Sequence, residues 1–431
     1  PTVTAQLINM LYNIVDRIYI GHMPGDGALA LTGVGVCLPL ILIVSAFAAL
    51  VGAGGAPRAS IFMGQKEYGK AERTLGNCFT LQIAISVILT AVLLIWNEDL
   101  LLAFGASANT IGYATAYMDI YAIGTIFVQI TLGMNYFITA QGFARTGMLS
   151  VAIGAVSNII LDPIFIFGFG MGVRGAALAT IISQGFSAIW VLSFLFGKKT
   201  FLRLRAKAMR LDRSIVLPAV GLGMATFIMQ ASESIINICY NSSLLRYGGD
   251  IAVGAMTILS SVMQFAMLPL QGLGQGAQPI LSYNYGAKDK ERVRGAYFLL
   301  LRVNLIYAAI LWLLVMLFPS AFARLFTSDQ ALVGFSSSAL RVYMAASVLF
   351  GIQMSCQMTF TSLGNARSSA IVAIMRKFVL LIPLMYLLPH IFTGNQAMAV
   401  FLAEPVADTL AVAFTSVLFF FDFRKALRRM G

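Results

Sequence analysis

Polar and ionisable side chains inside long apolar segments are the residues of this sequence best suited to chemistry. Four of them stand out: Asp16, Asn158, Asp162 and Thr180. Asn158 and Asp162 are four residues apart and therefore share one face of a helix. A charged group at membrane depth costs roughly 2.5–3.5 kcal/mol, so each such carboxylate is a functional hypothesis. Carboxylate, amide and hydroxyl oxygens suit a proton or Na⁺, and the alternative is a purely structural hydrogen-bond network.

The sequence repeats itself at a fixed offset of 222 residues, which indicates two homologous halves. One matched pair is Gly142-Phe143-Ala144-Arg145 with Gly364-Asn365-Ala366-Arg367. At the same offset, Asn158, Asp162 and Thr180 are replaced by Leu380, Leu384 and Leu402. A structural network should occur in both copies. We therefore predict that the first half alone holds a coupling ion, because membrane proteins built from two such halves usually transport something between them.

Composition places the chain in a membrane. Hydrophobic residues make up 59% of the sequence and charged residues 11%, against about 25% charge in soluble domains. Twelve apolar runs are long enough to span a bilayer: 2–21, 30–55, 74–96, 116–140, 148–168, 175–196, 215–242, 251–274, 297–318, 336–360, 370–389 and 396–421. We predict an all-α integral membrane protein with twelve transmembrane helices in two six-helix bundles. Six spans per half make the repeat parallel.

The basic residues predict orientation and domain organisation. A basic connector at 197–214 separates an N-terminal lobe, residues 1–209, from a C-terminal lobe, residues 210–431. Most Lys and Arg residues fall on one side of the twelve-span arrangement, so this side and both termini should be cytoplasmic. We expect a multi-pass protein of the cell membrane that contacts lipid and does not bind nucleic acid. Because the first residue is Pro1, the start of the natural chain is expected to be missing.

The sequence has no pattern of an enzyme or of a bound cofactor. The four Cys residues lie in four different spans, and the two His residues lie in predicted outer loops without neighbouring ligands. The stretch Gly197-Lys198-Lys199-Thr200 lacks the upstream glycine of a phosphate loop. We expect no cofactor and no metal other than a possible Na⁺.

The second half has its own charged residues within spans. Glu233 corresponds to Asp16 when the starts of the halves are aligned, and we predict that it lines a substrate cleft with Met229, Met256 and Met263. Flexible thioethers can repack around ligands of different shape. Arg376 and Asp408 are expected to form a structural ion pair, and Glu404 shares a helix face with Asp408. Asp119 is expected to reach water near a helix end.

Two motifs carry a resemblance to a known family. These are Asn13-Ile14-Val15-Asp16-Arg17-Ile18-Tyr19-Ile20-Gly21 and Asn158-Ile159-Ile160-Leu161-Asp162-Pro163-Ile164-Phe165. With the two-half plan, the chain resembles the multidrug and toxic-compound extrusion (MATE) transporters, in particular the bacterial branch typified by the staphylococcal multidrug exporter. The resemblance implies a coupling network of Asp16, Asn158, Asp162 and Thr180. Asn13, Tyr121 and Asn135 are less secure members.

The resemblance implies an antiporter that exports organic cations or related amphipathic molecules in exchange for H⁺ or Na⁺. Transport would proceed by alternating access between the two lobes, and we expect a monomer. The alternative is a flippase for lipid-linked sugars or other amphiphiles. A flippase should have a cationic cleft for pyrophosphate, whereas the spans of the first half carry more acid than base.

Overall fold

The computed structural model describes residues 1–23, 27–326 and 330–430, and its regular structure within those ranges is entirely helical. Its α-helices are α1 (Thr2–Gly21), α2 (Gly27–Gly64), α3 (Tyr68–Ile95), α4 (Asn97–Ala103), α5 (Ile111–Ile123), α6 (Thr125–Ala140), α7 (Ala144–Pro163), α8 (Val173–Phe196), α9 (Arg213–Gly286), α10 (Lys290–Leu317), α11 (Pro319–Arg324), α12 (Gln330–Tyr343), α13 (Phe350–Ser362), α14 (Ala366–Ile374), α15 (Ile382–Ile391) and α16 (Gln396–Arg428). Two π-helical segments, Ile164–Gly168 and Met375–Leu381, follow α7 and α14.

Many of these helices, alone or joined to a neighbouring segment, are long and apolar enough to cross a membrane. Among the described residues nine spans meet this condition, and two bent pairs raise the number to as many as eleven. The bent pairs are α5 with α6, at 58°, and 330–343 with 347–362, at 47°. The all-helical membrane fold predicted from composition is confirmed. Helix α1 is not among these spans and contains several polar residues, so the count of twelve stays a prediction.

The chain divides into two compact units, Pro1–Gln230 and Ala231–Gly431. The division falls inside α9, whereas the sequence placed the lobe boundary at 209 and 210. The basic connector is tied to the first unit. Gln141 Oε1 accepts hydrogen bonds from Thr200 Oγ1 and from the Leu202 amide, both at 2.8 Å. Close to its end, the Ser214 amide and hydroxyl donate to Asp212 and lower the pKa of that carboxyl.

The internal repeat is visible in the backbone and side-chain contacts of the two units. Lys66 and Lys288, 222 residues apart, both have a positive φ, 64° and 58°. Ser60 Oγ donates to the Ala140 carbonyl at 3.0 Å, and Ser282 Oγ donates to the Ser362 carbonyl at 2.8 Å, again at the same offset. The two halves thus share their local geometry at these positions.

The leucines that replace the polar residues of the first half have a packing role. Leu380, Leu384 and Leu402 are partly buried and pack against the largest hydrophobic cluster of the second unit. That cluster includes Tyr240, Met256, Tyr343 and Phe401. The second unit therefore has apolar packing at the positions where the first unit has amide, carboxyl and hydroxyl groups.

Candidate functional site

Asp162 lies at the end of α7, directly before the π-helical segment Ile164–Gly168. Such segments occur often at functional sites because they displace a side chain from the regular helical position. The start of α8 packs closely on this segment: a Cβ at Gly175 would lie 2.8 Å from the Phe165 carbonyl. Glycine at this position lets α8 approach closely enough to bring Thr180 beside α7.

A hydrogen-bonded network joins α7 and α8 within the first unit. Asn158 Nδ2 lies 3.1 Å from Asp162 Oδ1 and 3.5 Å from Thr180 Oγ1. Thr180 Oγ1 donates to the Ala176 carbonyl at 3.0 Å. Asp162 is fully buried and Asn158 nearly so, so these side chains are shielded from bulk water and bind each other instead. The structure therefore brings together three of the predicted coupling residues.

Asp16 of α1 contributes the fourth group. Its carboxyl approaches that of Asp162 closely enough to form a hydrogen bond when a proton is present. The Tyr117 hydroxyl lies beside that of Thr180 and within electrostatic reach of Asp16. Two ionised carboxylates at such a distance repel each other, whereas a shared proton or a bound cation removes the repulsion. The arrangement can therefore hold either.

A small cavity lined by both polar and apolar groups adjoins the network. Its volume is about 30 Å³, which is room for one or two water molecules and too little for an organic substrate. Asn158 and Thr180 line it together with Ser183 and Gln184. The oxygens Asn158 Oδ1, Ser183 Oγ and Gln184 Oε1 are buried without a hydrogen-bond partner among the described residues. The cavity thus presents acceptor atoms to water or to a small cation.

The less secure members of the predicted network have different positions. Tyr121 is buried and stacks on Tyr117 with ring centroids 6.2 Å apart. Asn135 instead donates to the Gly147 carbonyl at 3.2 Å. Gly147 lies about 22 Å from Asp162 along α7, because an α-helix rises about 1.5 Å per residue. Gln357 donates to the Ser369 carbonyl in the same way, 222 residues later. The structure therefore does not bring Asn135 to the network, because its bond belongs to the duplicated scaffold. The side chain of Asn13 lies outside the described residues.

Comparison with known proteins identifies the family. A family model for MatE matches residues 1–164 and 225–387. The chain belongs to the MatE family. A relative named multidrug export protein MepA, from Staphylococcus saprophyticus, is 25% identical over 91% of this chain and 86% of its own length. The protein of the same name from Staphylococcus haemolyticus is 25% identical over 96% and 90%.

Solved structures of MATE proteins have the same fold. One is described as the MATE multidrug transporter DinF-BH, solved as a complex. It is 34% identical, with a TM-score of 0.90 over 99% of this chain and 94% of that one. A MATE in complex with MaD3S is 24% identical, with a TM-score of 0.92 over 99% and 95%. The fold resemblance predicted from the sequence motifs is confirmed.

The second unit of this MatE protein contains a buried charge cluster around Arg376. Arg376 Nε lies 2.7 Å from Asp408 Oδ1, the pair expected from the sequence, and its Nη2 lies 3.4 Å from Glu404 Oε1. Tyr240 donates to the other oxygen of Glu404 at 2.8 Å. The guanidinium also stacks over the Phe350 ring, 5.3 Å from its centroid. These contacts satisfy charges that would otherwise be costly to bury.

Glu233 has a partner that the sequence analysis of this MatE protein missed. Its Oε1 lies 2.7 Å from Nζ of Lys377, the residue next to Arg376 in the π-helical segment. A lysine in the middle of a predicted span was the available signal. Tyr117 was also missed, because a tyrosine in an apolar run is usually a packing residue.

The methionines assigned to a substrate cleft differ in their surroundings. Met256 is buried in the large hydrophobic cluster of the second unit, and Met263 packs partly against the same cluster. Met229 is half-buried and belongs to the first unit. Met256 therefore has the packing environment of a core residue in this conformation. Asp119 is exposed near the end of α5 and accepts a hydrogen bond from Asn97 Nδ2 at 2.6 Å.

Proposed function

We propose that this chain is a secondary antiporter that exports amphipathic organic cations, acting as a monomer by alternating access. Membership of the MatE family and similarity to proteins named as multidrug exporters support this proposal. The observation on which it depends most is the approach of two carboxyl groups, Asp16 and Asp162, inside a buried polar network of a membrane span.

The coupling site in this proposal consists of Asp16, Asn158, Asp162 and Thr180. When the site is empty of cations, the two carboxylates repel each other and favour an arrangement of α1 and α7 that separates them. Binding of an ion removes that repulsion and stabilises the closer arrangement. Because the ion binds one arrangement better than the other, its gradient can bias the direction in which substrate is released.

The orientation of Asn158 favours H⁺ over Na⁺ as the coupling ion. Its amide nitrogen, a donor, faces Asp162 and Thr180, so the amide presents a donor, and not its cation-binding Oδ1, to the Asp162 carboxyl group. A Na⁺ ion needs several oxygen ligands around it, as other hard cations do. A proton needs only the two carboxyl groups. The adjoining cavity has room for water that delivers it.

Transport by the purified protein in proteoliposomes tests the proposal. For one-to-one exchange, a pH difference of two units supports an accumulation of a monovalent cation of about 100-fold, since each unit corresponds to tenfold. Asp16→Asn and Asp162→Asn should each reduce the accumulation of a fluorescent organic cation to the level of passive equilibration. Binding of the dye should remain. Separate pH and Na⁺ gradients identify the ion.

Asp119→Asn is the matched control, since it makes the same chemical change at an exposed carboxylate. It should transport like the unaltered protein. If both Asn variants in the network still accumulate the cation at the original rate, the coupling site lies elsewhere. If the unaltered protein accumulates no organic cation under either gradient, the proposed export function is wrong.

A further inference from the structure

Glu233 is a half-exposed carboxylate near the middle of a membrane span. Its side chain is 48% exposed, and it lies near the centre of the span Arg213–Gly249. An ionised group at this depth is unfavourable against hydrocarbon, so its exposed side has to face water or a polar ligand. Within the described part of the chain, Glu233 has one hydrogen-bond donor, Lys377, which contacts Oε1. Its second oxygen, Oε2, remains available to a ligand.

Lys377 is buried, in contrast to its partner. Its side chain is 7% exposed, and its ammonium lies 2.7 Å from Glu233. Glu404 is within electrostatic reach of the same ammonium. The lysine therefore has two carboxylates near it, an exposed one in contact and a buried one within electrostatic reach. It can move toward Glu404 without losing all of its anionic neighbours.

Each of the other charged side chains of the cluster already has a partner of opposite charge. Arg376 contacts Asp408 and Glu404, and Tyr240 contacts Glu404. All four of these side chains are buried. Glu233 is thus the one carboxylate of the described cluster that a molecule from outside can reach.

We propose that Lys377 is an internal counter-ion that a cationic substrate displaces from Glu233. This inference rests on the proposed export of organic cations. In the empty state the ammonium of Lys377 occupies the place beside Glu233 that a substrate ammonium takes in the loaded state. On loading, Lys377 turns toward Glu404. Glu233 then exchanges one cation for another, and release of the substrate is assisted by the return of Lys377.

The exchange of Lys377 for a substrate cation explains why a carboxylate within a membrane span is paired with a lysine. A carboxylate without such a partner would bind cations more tightly but would release them slowly. A competing cation within the protein weakens binding and favours release, and it keeps Glu233 neutralised between transport cycles. Substitution of Lys377 should therefore change affinity and turnover in opposite directions, which loss of a structural contact would not do.

Equilibrium binding of ethidium, a permanently charged organic cation, to the purified protein in detergent tests the proposal. Lys377→Met removes the competitor and should lower the Kd of ethidium about five- to tenfold, as expected for loss of a partly buried ion pair. Lys377→Arg keeps the charge, and its planar fork can hold both oxygens of Glu233. It should raise the Kd about two- to threefold. In proteoliposomes, Lys377→Met should also turn over more slowly than the unaltered protein.

The double variant Glu233→Gln, Lys377→Met is the control for specificity, because it removes the carboxylate as well. It should lose the gain in affinity. Lys425→Met, at an exposed position of α16, should leave the Kd unchanged. Thermal unfolding of each variant checks that it is folded.

Three results would overturn the inference. The first is a folded Lys377→Met variant that binds ethidium no more tightly than the unaltered protein. The second is a gain in affinity that persists in the double variant. The third applies if Lys377→Met does not fold: it is a Kd of ethidium for Lys377→Arg that is unchanged or lower than that of the unaltered protein. If the unaltered protein and every variant fail to bind or transport organic cations, the proposed export function itself is refuted, and the inference with it.

Discussion

Replacing Arg376 by Met removes the only cation that contacts Asp408 within the described part of the chain. Both side chains are nearly inaccessible to solvent, at 8% and 2% exposure, and their nearest atoms are 2.7 Å apart. With an effective dielectric constant of about 20, attraction at that distance amounts to about 6 kcal/mol, and the contact with Glu404 adds about 5 kcal/mol. The desolvation penalty of the guanidinium offsets much of this sum. We expect a net loss of about 3–5 kcal/mol in the free energy of unfolding, as for other buried pairs that lose one partner.

The reactivity of the buried cysteines provides the assay. Cys37, Cys78 and Cys356 are buried, so a fluorogenic maleimide reports unfolding as the purified protein is heated in detergent. Arg376→Met should unfold at a clearly lower temperature. Arg292→Met is the matched control, since Arg292 is 75% exposed and its pair with Asp289 is solvent-screened. The control should unfold within a degree or two of the unaltered protein.

A compensated variant separates charge from packing. Arg376→Met combined with Glu404→Gln and Asp408→Asn leaves no buried charge unpaired, so it should recover most of the lost stability. If Arg376→Met unfolds at the same temperature as Arg292→Met, the charge cluster contributes nothing to stability and the predicted loss is wrong.

Two further predictions concern packing and the unequal halves. Gly54→Ala would place a Cβ 1.9 Å from the Ala219 carbonyl oxygen, so we expect a loss of about 1–3 kcal/mol from overpacking. The control Gly112→Ala, with no atom within 4 Å of the new Cβ, should be neutral or stabilising in the same unfolding assay. Leu384→Asn should lose about 1–3 kcal/mol by placing an amide among apolar neighbours. It should not change the number of protons exchanged per substrate, and a higher proton number would show that the second half can also couple.

Several features of the fold could be predicted from the sequence because they depend on composition and periodicity. The apolar runs located the helices, and the repeat is visible in matching hydrogen bonds. The bend after α5 could not be predicted, because it depends on a tertiary contact: a Cβ at Gly124 would lie 2.2 Å from Ile181. Within one apolar run, nothing in the local pattern indicates such an approach.

The same limit applies to the candidate site. Asp162 and Asn158 could be paired from their spacing, because residues four apart share a helix face. Asn135 was assigned to the same network, although its partner in space is Gly147. Lys377 and Glu233 are 144 residues apart, and only the packing of the second unit brings them into contact. Spacing along one helix is readable from a sequence, whereas contacts between helices require the fold.

Gly249 limits how two helical segments can move. It is the single residue inside α9 with non-helical torsion angles, φ 63° and ψ −160°, a region that is essentially restricted to glycine. The spans Arg213–Gly249 and Ile251–Gly286 meet there without a loop. One residue of chain extends at most about 3.6 Å, which is less than the roughly 5.4 Å pitch of a helix. While both spans remain helical up to this residue, they therefore cannot slide past each other by a turn, and Gly249 acts as a hinge with almost no slack.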